Sequence, residues 1–434
     1  MIILFVSQTK SRDGDALVVA SPPVAREKLA AVVDEVLAIT PVLDIHTHLF
    51  PTPFGDLGLW GIDDLLTYHY LEAELFRFSS IRPAQYWELS KTQRADLVWK
   101  TLFQENTPIS EAARGVVAVL AALGLDPSSE TLAPLREYFR EQRLVDYIPR
   151  VLALAGVSSV VMTNDPLDPA EAPVWQRGLE RDPQFHAALR LDRILNEWTS
   201  HDAQMASNGY AVEADGGGRT ITELRRFLAD WSLRMRPVYM AVSLPDTFQF
   251  PADDVRTKLL RDAILPACRE LNLPLSLMIG VRRQVNPALR LAGDAAGKAD
   301  LRSLETMCRE FPENRFLVSV LSRENQHELC VYARKFSNLM PFGCWWFLNN
   351  PSIVEEITRE RLEMLGTSFI PQHSDARILE QVIYKWRNTR RTMGPILTRS
   401  YEVLAEDGRP VTVEAVRRDV ARLFRTNFEQ LTNL

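Results

Sequence analysis

PVLDIHTHLF, residues 41–50, sets an apolar run broken only by Asp44 directly before two histidines one residue apart. A short apolar run without alternation suits a strand buried on both faces of a parallel sheet. Residues two apart on a strand project to the same side, so His46 and His48 leave its C-terminal end together. Two imidazoles fixed in that way supply part of a divalent-metal site. One His-x-His is weak evidence by itself, because two structural histidines give the same pattern. The other strand ends have to decide.

Seven further runs of this kind follow: VSSVVMTND (157–165), FHAALRLD (185–192), PVYMAVSL (237–244), LPLSLMIG (273–280), RFLVSVLS (315–322), NLMPFGCWW (338–346) and TSFIPQHSD (367–375). Helical patterns separate most of them. KADLRSLETMCREF lies between the fifth and sixth, and PSIVEEITRERLEMLG between the seventh and eighth. In the latter, Ser352 and Glu355 read as a capping box and Gly366 as the stop. Strands alternating with helices specify the α/β class, here a (β/α)8 TIM-type barrel. The barrel is distorted, with a helical insertion after strand 1 over about residues 72–150, where Ser110 reads as the N-cap of SEAARGVVAVLAALGLD. The expected organisation is an N-terminal extension over 1–24 and one metal-dependent barrel over 25–434.

The chain has 434 residues, 46% hydrophobic and 24% charged, which fits a folded globular protein. A net charge of −6 argues against a general nucleic-acid or anionic-membrane surface. Cys268, Cys308, Cys330 and Cys344 are widely spaced and read as reduced thiols. The opening MIILFVSQTK lacks the basic flank and length of a secretory leader, and no run reaches the ~18 apolar residues of a membrane span. A cytoplasmic protein without nucleic-acid or membrane partners is the expectation. A homo-oligomer is left open.

Chemistry in such barrels sits at the C-terminal strand ends. The eighth run ends in QHSDAR, and strand 8 neighbours strand 1 when a barrel closes, so Asp375 completes a metal site with His46 and His48. Zinc is the expected ion, with manganese second. His373, two residues before Asp375, is either a further ligand or a support for one. Asp165, Arg190 and Arg377 reach the same mouth, and arginines there suit an anionic substrate because guanidinium pairs bidentately with carboxylate. For Arg282, Arg323 and Glu324, structural ion pairs are the better reading. Trp345 and Trp346 end strand 7, where one can stack on a ligand while the other packs inside.

From about residue 25 onward the chain resembles the uronate isomerase family of the amidohydrolase superfamily. The resemblance rests on Asp44-Ile45-His46-Thr47-His48-Leu49, His69-Tyr70, Thr163-Asn164-Asp165-Pro166, Arg190-Leu191-Asp192, Gly343-Cys344-Trp345-Trp346-Phe347 and Asp375-Ala376-Arg377, followed by YKWRNTRR. It implies a metal on His46, His48 and Asp375. It also implies binding of a small sugar acid by His69, Tyr70, Arg190 and Arg377, and interconversion of D-glucuronate with D-fructuronate or D-galacturonate with D-tagaturonate. Asp375, with His69 or Tyr70, would then move the protons. Trp345 and Asp165 are added as substrate contacts. Two strands depart from the family pattern, with Ala241-Val242-Ser243-Leu244 in place of an Asp-His pair and Met278 in place of a histidine. The alternatives are metal-assisted hydrolysis of a carboxylate-bearing substrate and a non-catalytic sugar-acid binding protein.

Overall fold

The computed structural model describes residues 22–434. All but residues 22–24 of the expected N-terminal extension therefore lie outside the described residues. Seven parallel strands run in sequential order: β1 (Val42–Thr47), β2 (Val157–Asn164), β3 (Phe185–Arg190), β4 (Met240–Pro245), β5 (Leu275–Arg282), β6 (Phe316–Val320) and β7 (Leu339–Pro341). A two-residue strand, Ala295–Ala296, pairs antiparallel with the end of β5.

The eighth run does not form a regular strand. Ile370 alone bridges, to Phe342, and Pro371 follows with no N–H to continue a ladder. The run still closes the barrel. Ile370 N–H donates to the Pro341 carbonyl at 3.0 Å, Asp375 N–H to His46 at 3.2 Å, and His48 N–H to Ala376 at 2.8 Å. Seven strands and an extended eighth segment make the distorted (β/α)8 barrel expected from the pattern.

The strands alternate between two cores, as their pleat requires. Val42, Val160, Met162, Leu189, Val242, Leu277 and Val318 pack outward among the helices. Leu43, Ile45, Val161, Ala188, Ala241, Met278 and Leu317 turn to the other side and form a separate cluster with Tyr239, Phe342, Trp345 and Phe428. The second set fills the barrel interior.

Helices occupy the connection between β1 and β2, the first starting at Ile62 and the last ending at Ala155. Ser110 caps Glu111–Leu123 by accepting from Ala113 N–H at 3.1 Å. The expected capping box at Ser352 is not formed. The helix begins two residues earlier than that box requires, with Pro351 at its first position and Asn350 before it, and the Ser352 hydroxyl accepts from Asn350 instead. Proline suits that position because its missing N–H would be unpaired there anyway. Gly366 ends this helix at φ 59°. The four cysteines are buried and free. Among the described residues no helix is long and apolar enough to cross a membrane.

Candidate active site

Asp44 positions the histidines. It is fully buried in β1, where its Oδ1 accepts from Ser374 N–H at 3.0 Å and its Oδ2 from the Trp386 indole at 2.8 Å. Burial raises its carboxyl to about 6, against the pull of those two donors. One side chain therefore ties strand 1 to the closing segment and to the long helix Gln381–Glu406.

His46 and His48 follow, and Asp375 meets them across the closure. Asp375 Oδ1 lies 3.3 Å from His48 Nε2 and 3.7 Å from His46 Nε2. Asp375 holds its backbone at φ 51°, a left-handed conformation that Asp tolerates better than most residues. Burial lowers the His46 pKa to about 3 and takes His48 well below its ordinary value, so both rings are neutral and present lone pairs. The Asp375 Oδ1 is buried without a hydrogen-bond partner. These residues form the one group of potential metal ligands found among the described residues, with ligand atoms within 4.8 Å of one another. Atoms held about 2.1 Å from a tetrahedral centre lie about 3.4 Å apart. The residues present therefore fit a divalent cation.

Each ring's other nitrogen meets a hydroxyl: His46 Nδ1 lies 3.1 Å from Tyr239 Oη, and His48 Nδ1 lies 2.8 Å from Thr163 Oγ1. His373 joins neither arrangement. It is wholly buried against His46 and Phe342, with ring centroids 5.2 and 5.3 Å away, and neither of its nitrogens has a partner. Its position explains Gly343, which sits at φ 65° where an added Cβ would fall 2.0 Å from the His373 ring.

The remaining expected residues divide into free and committed groups. His69 opens the helix His69–Phe78, packed between Tyr68, Tyr70 and Trp346. Burial lowers its pKa to about 3, and its Nε2 has no partner. Tyr70 is held protonated by burial and lies beneath the Lys385 ammonium, 5.7 Å from its ring centre. Arg377 is close enough to influence His48, His69 and Tyr68, yet its guanidinium pairs with no carboxylate among the described residues. Arg190 differs. Its Nε and Nη2 are engaged by Asp192 at 2.9 and 3.0 Å. Asp165 accepts from Leu167 N–H and pairs with Arg193 at 3.3 Å.

Arg190 and Asp165 line a cavity of about 460 Å³ shared with Asp192, Arg193, Arg256 and Arg283. Arg282 and Arg323 make ion pairs with Asp246 and Glu356, as expected. Of the tandem tryptophans, Trp345 is buried in the interior cluster, whereas Trp346 meets His69 and lies under the Arg283 guanidinium at 5.8 Å. Trp345, expected as a substrate contact, is thus packed inside, and its neighbour Trp346 is the one that meets His69. β7 stops at Pro341, and the left-handed turns at Gly343 and Trp346 reset which side chain faces the mouth. Tyr68 and Tyr239 were not anticipated as part of the site, whereas Arg283, after strand 5, was expected at the mouth. For Tyr68 the signal was its place beside His69-Tyr70; for Tyr239 no sequence signal existed.

No protein-family model matches the chain, and no curated protein does. Solved structures do match. A uronate isomerase from Bacillus halodurans C-125 aligns over 94% of this chain and 97% of its own, with 50% identity and a TM-score of 0.92. A uronate isomerase from Thermotoga maritima covers 97% of this chain and all of its own at 16% identity, TM-score 0.74. A glucuronate isomerase from Caulobacter crescentus covers 98% and 97% at 15% identity, TM-score 0.62. The last two share the fold. With half its residues shared over nearly the full length of the first, the chain belongs to the uronate isomerase family.

Proposed function

We propose that this chain interconverts the aldose and ketose forms of a hexuronate, D-glucuronate with D-fructuronate or D-galacturonate with D-tagaturonate. The observation that carries the reading is the buried, unpartnered Asp375 Oδ1 between two neutral imidazoles, beside an arginine with no carboxylate of its own. The reaction moves a proton between C2 and C1 through an enediol, and it moves the hydroxyl proton between the two oxygens. A base must reach C2, and a proton donor must reach the carbonyl oxygen. Asp375 is the base in this reading. His69 is neutral and has an open ring nitrogen, so it can exchange the oxygen-bound proton, and the protonated Tyr70 phenol can donate to the same oxygen. Arg377 binds the substrate carboxylate and fixes the open chain, while Arg190 contributes the donors that Asp192 leaves free. Trp346 supplies the apolar wall in place of Trp345.

His46, His48 and Asp375 would hold the divalent ion, zinc first and manganese second. Bound there, the ion would supply a Lewis acid for the carbonyl and the adjacent hydroxyl. Residues 25–434 are read as one unit, in which the insertion after β1 contributes His69 and Tyr70. A hydrolytic reading lacks a histidine on β4 or β5, which carry Ser243 and Met278 instead. The test is turnover of a hexuronate panel by zinc- or manganese-loaded protein, with solvent deuterium at C2 as a second readout. No turnover and no exchange with any hexuronate would reject the proposal.

A further inference from the structure

His46 in β1 and His48 just beyond its end are held by matching hydroxyls from two other parts of the barrel. The Tyr239 hydroxyl donates to the Ile45 carbonyl at 2.7 Å and lies 3.1 Å from His46 Nδ1. The Thr163 hydroxyl donates to the Thr47 carbonyl at 3.1 Å and lies 2.8 Å from His48 Nδ1. In each case the carbonyl belongs to the residue just before the histidine. A hydroxyl has one proton and two lone pairs. Once that proton is committed to the strand carbonyl, only a lone pair remains to face the imidazole. A neutral imidazole carries one N–H, and it must be the nitrogen that meets the acceptor. Both rings are therefore protonated at Nδ1, and both Nε2 lone pairs turn toward Asp375 Oδ1, at 3.7 and 3.3 Å. All four groups are buried or half-buried, so water does not compete freely for these bonds.

We infer that Tyr239 and Thr163 are positioning residues that lock His46 and His48 in the Nδ1–H tautomer, leaving their Nε2 atoms as preset ligands. The inference rests on the metal reading given above. The two hydroxyls come from the residue just before β4 and the next-to-last residue of β2, so the lock is built by the barrel and not by β1 alone. Each hydroxyl also fixes ring rotation, since the same oxygen is anchored to the backbone one residue before the ring it holds.

The tautomers are read directly by nitrogen NMR of the metal-free wild-type protein with 15N-labelled histidine. Both rings should show Nδ1–H at near-full population. Either ring appearing as Nε2–H overturns the inference, whether or not any variant folds. Tyr239→Phe and Thr163→Val remove the hydroxyls while nearly keeping the shape. Chelator competition with Zn2+ should show affinity lowered about ten- to a hundredfold in each, as for other supports of metal-bound histidine. Thr163→Ser restores the hydroxyl and should return the affinity to within about threefold of wild type, by the same comparison. Affinities unchanged in both variants, or no rescue by serine, reject the role. If the wild-type protein binds neither Zn2+ nor Mn2+, the metal reading itself fails, and the tautomer spectrum still decides what the hydroxyls do.

Discussion

Asp375 and Arg377 are separated by one residue and make opposite demands on an experiment. Asp375→Asn keeps the shape but cannot accept the C2 proton, so turnover and C2 deuterium exchange should both vanish while zinc still binds weakly. Retained exchange in that variant would assign the base elsewhere. Arg377→Met removes a guanidinium that no protein carboxylate competes for, so its loss should appear in KM. A charge-assisted hydrogen bond is worth about 1.5–3 kcal/mol, which is about ten- to a hundredfold. Normal KM in that variant would reject carboxylate binding at this position. Arg190→Met strands the Asp192 carboxylate instead, so it should lower stability as well as affinity. A further test concerns protons. Burial depresses the folded-state pKa of His46 to about 3, so its neutral form is fully present above that value and is lost only as pH falls through it. Two exposed imidazoles titrating near 6.5 would lose about seventyfold in metal affinity between about pH 7 and about pH 5.5. Here Zn2+ affinity should change less than about threefold over that interval, and a loss near the exposed-imidazole figure would show the rings to be accessible. The candidate metal ligands were legible because each carries its chemistry in its side chain and closes an apolar run. Tyr239 was not, because it precedes β4, at the end away from the chemistry, and only the filled interior brings its hydroxyl to His46.

At the scale of elements, the closure between β1 and the segment after β7 depends on few hydrogen bonds, and Asp44 accepts two of the contributing donors. Asp44→Ala leaves the Ser374 N–H and the Trp386 indole buried without acceptors. At about 1–3 kcal/mol for each stranded donor, the expected destabilisation is about 2–6 kcal/mol, read as a lower urea midpoint at unchanged slope. A change below about 1 kcal/mol would mean that neither donor depends on the carboxylate. Strands β1 to β6 were readable from the sequence because doubly buried strands are continuously apolar. The eighth segment kept that composition but not the ladder, since Pro371 removes a donor and Asp375 turns left-handed. Periodicity reports which residues are buried, not whether their backbone stays paired. The same limit explains Trp345 and Trp346: with β7 ending at Pro341, the two-residue alternation that would have assigned their faces no longer applies. Ser352 shows the opposite case, in which a sound capping signal was displaced by the proline just before it.

For the molecule as a whole, β1 and β5 stand four positions apart around an eight-position barrel, so chain leaving one meets chain leaving the other only across the mouth. The insertion after β1 and the loop after β5 do meet. The Trp87 indole donates to the Ala288 carbonyl at 2.8 Å, and the Arg290 guanidinium lies 4.4 Å from the centre of the same ring. Behind this contact, Asp294 anchors the loop by pairing with Arg283 at 2.6 Å and accepting from Gln284 N–H at 2.8 Å. Arg283 in turn lies over Trp346 and lines the cavity, so the loop's position sets one wall of the site. The sequence disclosed a long helical insertion but not its destination, because no motif links Trp87 to a loop two hundred residues away. Trp87→Ala removes the one hydrogen bond and the one cation–π contact that reach the loop, together worth about 1–2 kcal/mol in a half-exposed setting. Amide hydrogen exchange over residues 283–296 should quicken about five- to thirtyfold, with the barrel strands unchanged, because the contact holds a locally opening segment and not the core. Trp87→Phe keeps a ring under Arg290 and should fall between the two. Equal exchange in wild type and Trp87→Ala would show that Asp294 and Arg283 hold the loop unaided. A general rise across the strands would show instead that the insertion and the barrel unfold as one unit.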